Sequence, residues 1–125
     1  MGRILLIDDS LYAKDLLRRF LTAGGHEIAG EAADGYAGIE LYSKLKPDLV
    51  ILDMIMPRLN GLETLRAIRK SDPNAKVLII SADGQEEHVS DMAKEGVSGY
   101  IVKPYSKQTV LNEVDALIGP ASRPD

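Results

Sequence analysis

The sequence contains no cysteine and no tryptophan, and aromatic residues make up only 5% of its 125 positions. Without thiols the chain forms no disulfide, no iron–sulfur cluster, no thiolate zinc site and no cysteine nucleophile. Long apolar runs are missing as well. Stretches such as Ile4–Ile7 and Val77–Ile80 stop after four residues, whereas a membrane span needs about 20. The first of them runs directly into Asp8 and Asp9, which leaves no room for the apolar centre of a signal peptide. Nor is there an excess of positive charge: 15 Lys and Arg face 19 Asp and Glu, a formal net charge of −4. That balance argues against a direct grip on a nucleic-acid backbone. A soluble cytoplasmic domain, with no membrane insertion and no nucleic-acid partner, is the expectation. With 45% hydrophobic and 27% charged residues the composition is that of a folded globular chain rather than a disordered one.

The apolar residues that are present follow two alternating periods. Arg3–Ile7, Leu49–Leu52 and Val77–Ile80 are short, branched, apolar runs of the kind that form strands buried on both faces. Ile28–Glu31 and Tyr100–Val102 are weaker strand candidates. Between them, helical spacing relates Tyr12, Leu16, Leu17, Phe20 and Leu21; then Ala37, Leu41 and Leu45; then Leu62, Leu65 and Ile68; then Val89, Met92 and Ala93; then Val110, Val114, Leu117 and Ile118. Turn residues punctuate the joins, including Gly24-Gly25, Asp34-Gly35, Asn60-Gly61 and Asp72-Pro73-Asn74. Five β–α units in series predict an α/β fold: one parallel sheet with helices on both faces. Five strands without a second half suggest the flavodoxin-like order 2-1-3-4-5. Residues 1–119 read as one domain and 120–125 as a short tail.

In such a sheet, ligands bind beyond the carboxyl ends of the strands, where the strand order reverses. Strand 1 ends in Asp8-Asp9-Ser10, strand 3 in Asp53, strand 4 in Ser81-Ala82-Asp83 and strand 5 in Lys103-Pro104. Three carboxylates, a hydroxyl and an ammonium therefore converge on one edge. Crowded carboxylates raise one another's pKa unless a cation joins them. An all-oxygen donor set suits Mg²⁺ or Mn²⁺, which keeps waters and accepts a phosphate oxygen. With Lys103 to offset an incoming anion and Ser81 to hydrogen-bond it, the set points to phosphoryl chemistry with a carboxylate nucleophile. Plainer roles compete: Asp9 or Ser10 as a helix cap, Tyr100 as an aromatic packed on an edge strand, His26 and His88 as exposed loop or helix residues, and Arg18, Arg19, Arg66, Arg69 and Lys70 as solvated helix faces.

The run Asp53-Met54-Ile55-Met56-Pro57-Arg58-Leu59-Asn60-Gly61, with Asp8-Asp9 and Lys103-Pro104, resembles the receiver domain of two-component response regulators, and stand-alone CheY-like proteins in particular. The similarity extends from Arg3 to Ile118. It implies that Asp53 is the phosphoacceptor and that Asp8, Asp9, Asp53 and the backbone carbonyl of Ile55 hold Mg²⁺. It implies that Lys103 pairs with phosphoryl oxygens, that Ser81 is the switch hydroxyl and Tyr100 the switch aromatic, and that the Lys103–Pro104 bond is cis. The phosphodonor is then a histidine kinase or histidine phosphotransferase. An output protein, in chemotaxis or another pathway, reads the face made by the fourth helix, the fifth strand and the last helix. The chain is then a phosphoacceptor that assists its own modification rather than an enzyme.

Ile55 is apolar where chemotaxis members often carry a polar residue, Asp83 is acidic but short, and Tyr105 replaces a common phenylalanine. Positions 55 and 83 are linked in the family to phosphorylation and hydrolysis rates. An isoleucine cannot orient water by hydrogen bonding, so slow loss of the phosphoryl group is expected. A flavodoxin would need a phosphate loop where Asp8-Asp9-Ser10 stands, and more aromatics. An aspartate-nucleophile phosphatase of the haloacid-dehalogenase type would need Asp-x-Asp there. A receiver cut from a longer, DNA-binding regulator fits the same residues as a stand-alone protein.

Overall fold

The computed structural model describes residues 2–56, 58–82 and 94–119. In chain order they form β1 (Arg3–Ile7), α1 (Leu11–Ala23), β2 (Glu27–Ala32), α2 (Gly35–Leu45), β3 (Leu49–Asp53), α3 (Gly61–Ser71), β4 (Val77–Ala82), β5 (Gly99–Lys103) and α4 (Lys107–Ile118). The five strands pair in parallel as β2-β1-β3-β4-β5, the order expected from the sequence. The helix expected around Val89, Met92 and Ala93, and the tail expected at 120–125, lie outside the described residues. Among the described residues no helix is long and apolar enough to cross a membrane.

Period-two alternation along the central strands divides the core. Leu5, Ile7, Val50, Leu52, Val77 and Ile79 point to one face and pack with Tyr42 of α2 and Leu65 and Ile68 of α3. Ile4, Leu6, Leu49, Ile51, Leu78 and Ile80 point to the other and pack with Leu17 and Leu21 of α1 and Val110 and Val114 of α4. Both faces of the sheet are therefore covered, which is why these strands are apolar at every position rather than at alternate ones. Each fully buried Leu or Ile contributes about 1.5–3 kcal/mol of burial.

The edge strand β2 is only partly buried and its register with β1 shifts between Ile4 and Leu5. A side-chain clamp supports it: Arg18 of α1 donates to both carboxylate oxygens of Glu31, at 2.7 and 2.9 Å. Arg18 is therefore engaged rather than simply solvated. The same holds on α3, where Arg66 meets Glu95 at 2.8 Å and Arg69 donates to the Gly96 carbonyl at 2.7 Å.

Two further expectations are corrected. Tyr12 shares helical spacing with core residues but is 77% exposed, because the inward stripe of α1 runs through Ala13, Lys14, Leu17 and Leu21. His26 is not an exposed loop residue. Its side chain is fully buried and its Nε2 lies 2.9 Å from Asp115 on α4, a partner 89 positions away.

Candidate functional site

Each site residue is placed by the end of a strand. Asp8 follows β1 directly, and its backbone N–H donates to Ala32 at the end of β2. Asp53 is the last residue of β3 and pairs with Ile80 of β4. Lys103 closes β5 opposite Ala82. β1 and β3 run in register through Ile7 and Leu52, so Asp8 and Asp53 leave adjacent strands side by side. One ligand oxygen from each of Asp8, Asp9 and Asp53 lies within 4.8 Å of the others.

The turns around these carboxylates are built to hold them. Asp8 accepts the Ser10 N–H at 2.8 Å, while the Ser10 hydroxyl caps α1 by accepting from Ala13 at 3.1 Å. Of the two cap candidates it is therefore Ser10 that caps, and Asp9 stays exposed. Asn60 caps α3 in a reciprocal box with Glu63. Gly61 is required by close approach: a Cβ there would lie 2.7 Å from the Met54 Cα and 2.8 Å from the Asp53 carbonyl oxygen. The Asn-Gly pair thus starts the helix and lets its first turn pack on the end of β3. Arg58 adopts φ +73 in that loop, with its guanidinium 5.8 Å from the centre of the Tyr36 ring and one nitrogen 3.3 Å from Asp34.

Electrostatically the edge is acidic and incompletely neutralised. Asp8 is 2% and Asp53 6% exposed. Burial pushes the Asp8 carboxyl above its usual range, against the Ser10 N–H and the Lys103 ammonium, which favour the ionised form. Burial, followed by the Asp8 charge, pushes Asp53 up to about 6. Lys103 stands 3.5 Å from the Asp53 carboxylate and offsets only part of this.

The other expected residues are placed as follows. Ser81 is buried within β4. Tyr100, paired with Ile79 across the β4–β5 ladder, is 42% exposed, and Ile55 is 64% exposed. The Lys103–Pro104 bond is cis. Asp83 lies outside the described residues.

Two residues assigned no role from the sequence also bear on the edge. Lys14 is buried on α1 and its charge acts on Asp8 and on Glu31. Tyr105, two residues beyond Lys103, feels both Asp8 and Asp53. Lys14 stands four residues after the cap Ser10, a spacing that places it on one helix face with the cap. Tyr105 had only its separation from Lys103 as a signal.

The profile of the response regulator receiver domain matches residues 4–115. The chain belongs to that family. It is 39% identical over 113 residues to the chemotaxis protein CheY of Thermotoga maritima, covering 90% of this chain and 94% of that protein. It is 37% identical over 109 residues to the Escherichia coli nitrate/nitrite response regulator protein NarL, covering 86% of this chain but 50% of NarL. In structure it is similar, with a TM-score of 0.88 and 35% identity, to a chain in the CheX–CheY–BeF3–Mg²⁺ complex from Borrelia burgdorferi, over 92% of this receiver and 87% of that chain. As a response regulator receiver domain, this chain carries its acidic cluster at the carboxyl edge of a sheet whose topology agrees with the family's.

Proposed function

We propose that this receiver is a stand-alone, CheY-like phosphoryl acceptor whose modified residue is Asp53. One observation carries the reading: the buried Asp53 carboxylate stands between two further carboxylates and one ammonium at the switch point of the sheet. The three carboxylates suit a small hard cation in donor chemistry, and Asp8, Asp9, Asp53 and the Ile55 carbonyl would hold it. When bound, Mg²⁺ or Mn²⁺ supplies positive charge to phosphoryl oxygens.

The chain's own residues do the rest. An Asp53 oxygen attacks the phosphorus of a phosphohistidine on a histidine kinase or histidine phosphotransferase. The P–O bond forms as the P–N bond breaks, and the electron pair leaves on the imidazole nitrogen. Lys103 offsets charge on the transferred group. Ser81 then turns to hydrogen-bond the new oxygens, and Tyr100 rotates into the vacated space. Output follows by protein contact on the surface of β5, α4 and the helix expected before β5, a population shift between two states. The protein is a phosphoacceptor rather than an enzyme acting on a separate substrate, and it works in the cytoplasm. The B. burgdorferi CheY captured with CheX, BeF3 and Mg²⁺ supports this reading.

Intact mass after incubation with acetyl phosphate, with and without Mg²⁺, tests it. A Mg²⁺-dependent phosphoryl adduct absent from Asp53→Asn is expected. An adduct that persists in the variant would move the acceptor elsewhere. Ile55 and Asp83 are proposed to set the lifetime of the adduct. Ile55→Asn is expected to shorten it, and an unchanged decay rate would remove Ile55 from that role. The match to half of NarL favours a second reading, a receiver from a longer regulator. The length of the native gene decides between the two.

A further inference from the structure

The loop between β3 and α3 turns on a residue whose type rarely makes such a turn. Arg58 lies at φ +73, in the left-handed region that glycine, and at times Asn or Asp, visits routinely. It stands where the chain returns from the buried Met56 toward the Asn60 cap. The loop closes tightly: the Gly61 N–H donates to the Met54 carbonyl at 2.9 Å, and the start of α3 lies against the Asp53 backbone. Strained residues persist where their surroundings over-determine them, and here the surroundings are the first residues of α2. Asp34 holds two groups at once. Its Oδ1 accepts the Ala37 N–H at 2.8 Å as the α2 cap, and its Oδ2 accepts from the Arg58 guanidinium at 3.3 Å. The same guanidinium stands over the Tyr36 ring. Between them, Gly35 makes room for Leu59: a Cβ there would lie 2.9 Å from the Leu59 Cδ2. Asp34, Gly35 and Tyr36 thus form a cradle that Arg58 and Leu59 occupy.

A glycine at position 58 would make this turn at less cost, so what the arginine adds is the hold of its side chain. We propose that Arg58 is a positioning residue for divalent-cation binding: clamped on Asp34 and Tyr36, it fixes the β3–α3 loop, and with it the Ile55 carbonyl, against the end of β3. The inference rests on reading Asp8, Asp9, Asp53 and that carbonyl as the cation's ligands. Asp8 and Asp53 are spaced by strand register, whereas a carbonyl in the loop is placed by whatever holds the loop. Groups that orient ligands from outside the ligand shell commonly change affinity by about tenfold or more. Arg58 acts one step further away, through the backbone, so the expected effect is about three- to tenfold. Charge alone predicts a different pattern. Removing an arginine from the neighbourhood of an acidic site would tighten Mg²⁺ binding, and removing an aspartate would weaken it.

The test uses the full chain and MgCl2. Calorimetric titration compares the wild type with Arg58→Gly, which keeps the turn and loses the clamp, and with Asp34→Asn, which keeps the helix cap and loses the ion pair. Metal-free melting curves check that both are folded at the titration temperature. Tyr36→Ala, which removes the ring without a change of charge, replaces either one that is not. Isoleucine labelled with ¹³C at the carbonyl reports on Ile55, with Ile51 in the core of β3 as internal reference. The expected result is a loss of Mg²⁺ affinity of about three- to tenfold in both variants, although their charge changes are opposite in sign. The Ile55 carbonyl signal of metal-free Arg58→Gly is expected to differ from that of the wild type while Ile51 stays. Unchanged or tighter binding by Arg58→Gly would overturn the proposal. So would a loss in only one variant, since a clamp fails from either side, or an Ile55 signal indifferent to Arg58→Gly. Asp9→Asn separates the two levels of the argument. If it leaves binding untouched, the cation reading of the cluster fails and the Arg58 inference with it. If it abolishes binding while the clamp variants bind like the wild type, the Arg58 inference alone fails.

Discussion

The two ends of the sheet hold similar residues and treat them in opposite ways. At the amino end, Asp48 accepts the Arg3 N–H at 2.8 Å, Asp72 accepts the Tyr42 hydroxyl at 2.7 Å, and Asp115 meets His26 at 2.9 Å. Each carboxylate there has its own donor, and the Tyr42 hydroxyl holds Asp72 below the usual carboxylate range. At the carboxyl end, Asp8 and Asp53 are more deeply buried yet share the Lys103 ammonium, and both are pushed upward. The amino end spends its polar groups on holding elements together. The carboxyl end leaves its negative charge only partly compensated, a state that opposes folding and favours a cation.

Variants at the two ends are expected to shift stability in opposite directions. The largest effect is expected from His26→Ala, which opens a buried cavity beside Asp115 and lowers stability by about 2–4 kcal/mol in urea unfolding. Mg²⁺ affinity should stay as it is, and a large loss of affinity would show that the ends are coupled. Next comes Asp53→Asn, expected to stabilise. The folded carboxyl sits near 6 against about 3.9 unfolded, so its ionisation at neutral pH works against folding. Without metal the variant should gain about 3 kcal/mol at pH 8. The gain should shrink as pH falls through about 6 and vanish near the unfolded value. A gain that is flat with pH would mean that the Asp53 charge is already compensated. The smallest effect is that of the ion itself. Ten millimolar MgCl2 should stabilise the wild type by about 1 kcal/mol if affinity is near millimolar. Asp9→Asn should abolish most of it, and equal stabilisation of both proteins would place the ion elsewhere.

The fold was legible where the physics is local. Branched apolar runs marked the three central strands, since a strand covered on both faces has no polar alternation to obscure it. Their carboxyl ends were less so: Asp53 and Ser81 are polar, yet they lie within β3 and β4 because the ladder continues past the apolar run. The acidic pair, Asp53 and Lys103 were readable because parallel topology collects strand ends at one edge. His26 was misread because its partner is 89 positions away, and nothing in its neighbourhood encodes that distance. Tyr12 was misread because residues on the flank of a helix share spacing with the buried stripe without facing it. The burial of Lys14 likewise depends on tertiary placement.

The register of β1 with β3 has one more consequence. Asp8 and Asp53 are spaced by backbone hydrogen bonds between neighbouring strands, about 4.8 Å apart in any sheet. No core side chain sets that interval. The apolar residues behind it can be exchanged extensively while volume and alternation are kept, and the gap between the carboxylates will remain the same. Deleting one residue from β3 would be different. It would turn Asp53 to the opposite face and erase the site with every charged residue still present. The site is thus inherited as an alignment of two strands, and it is more vulnerable to a change in chain length than to a change in the composition of the core.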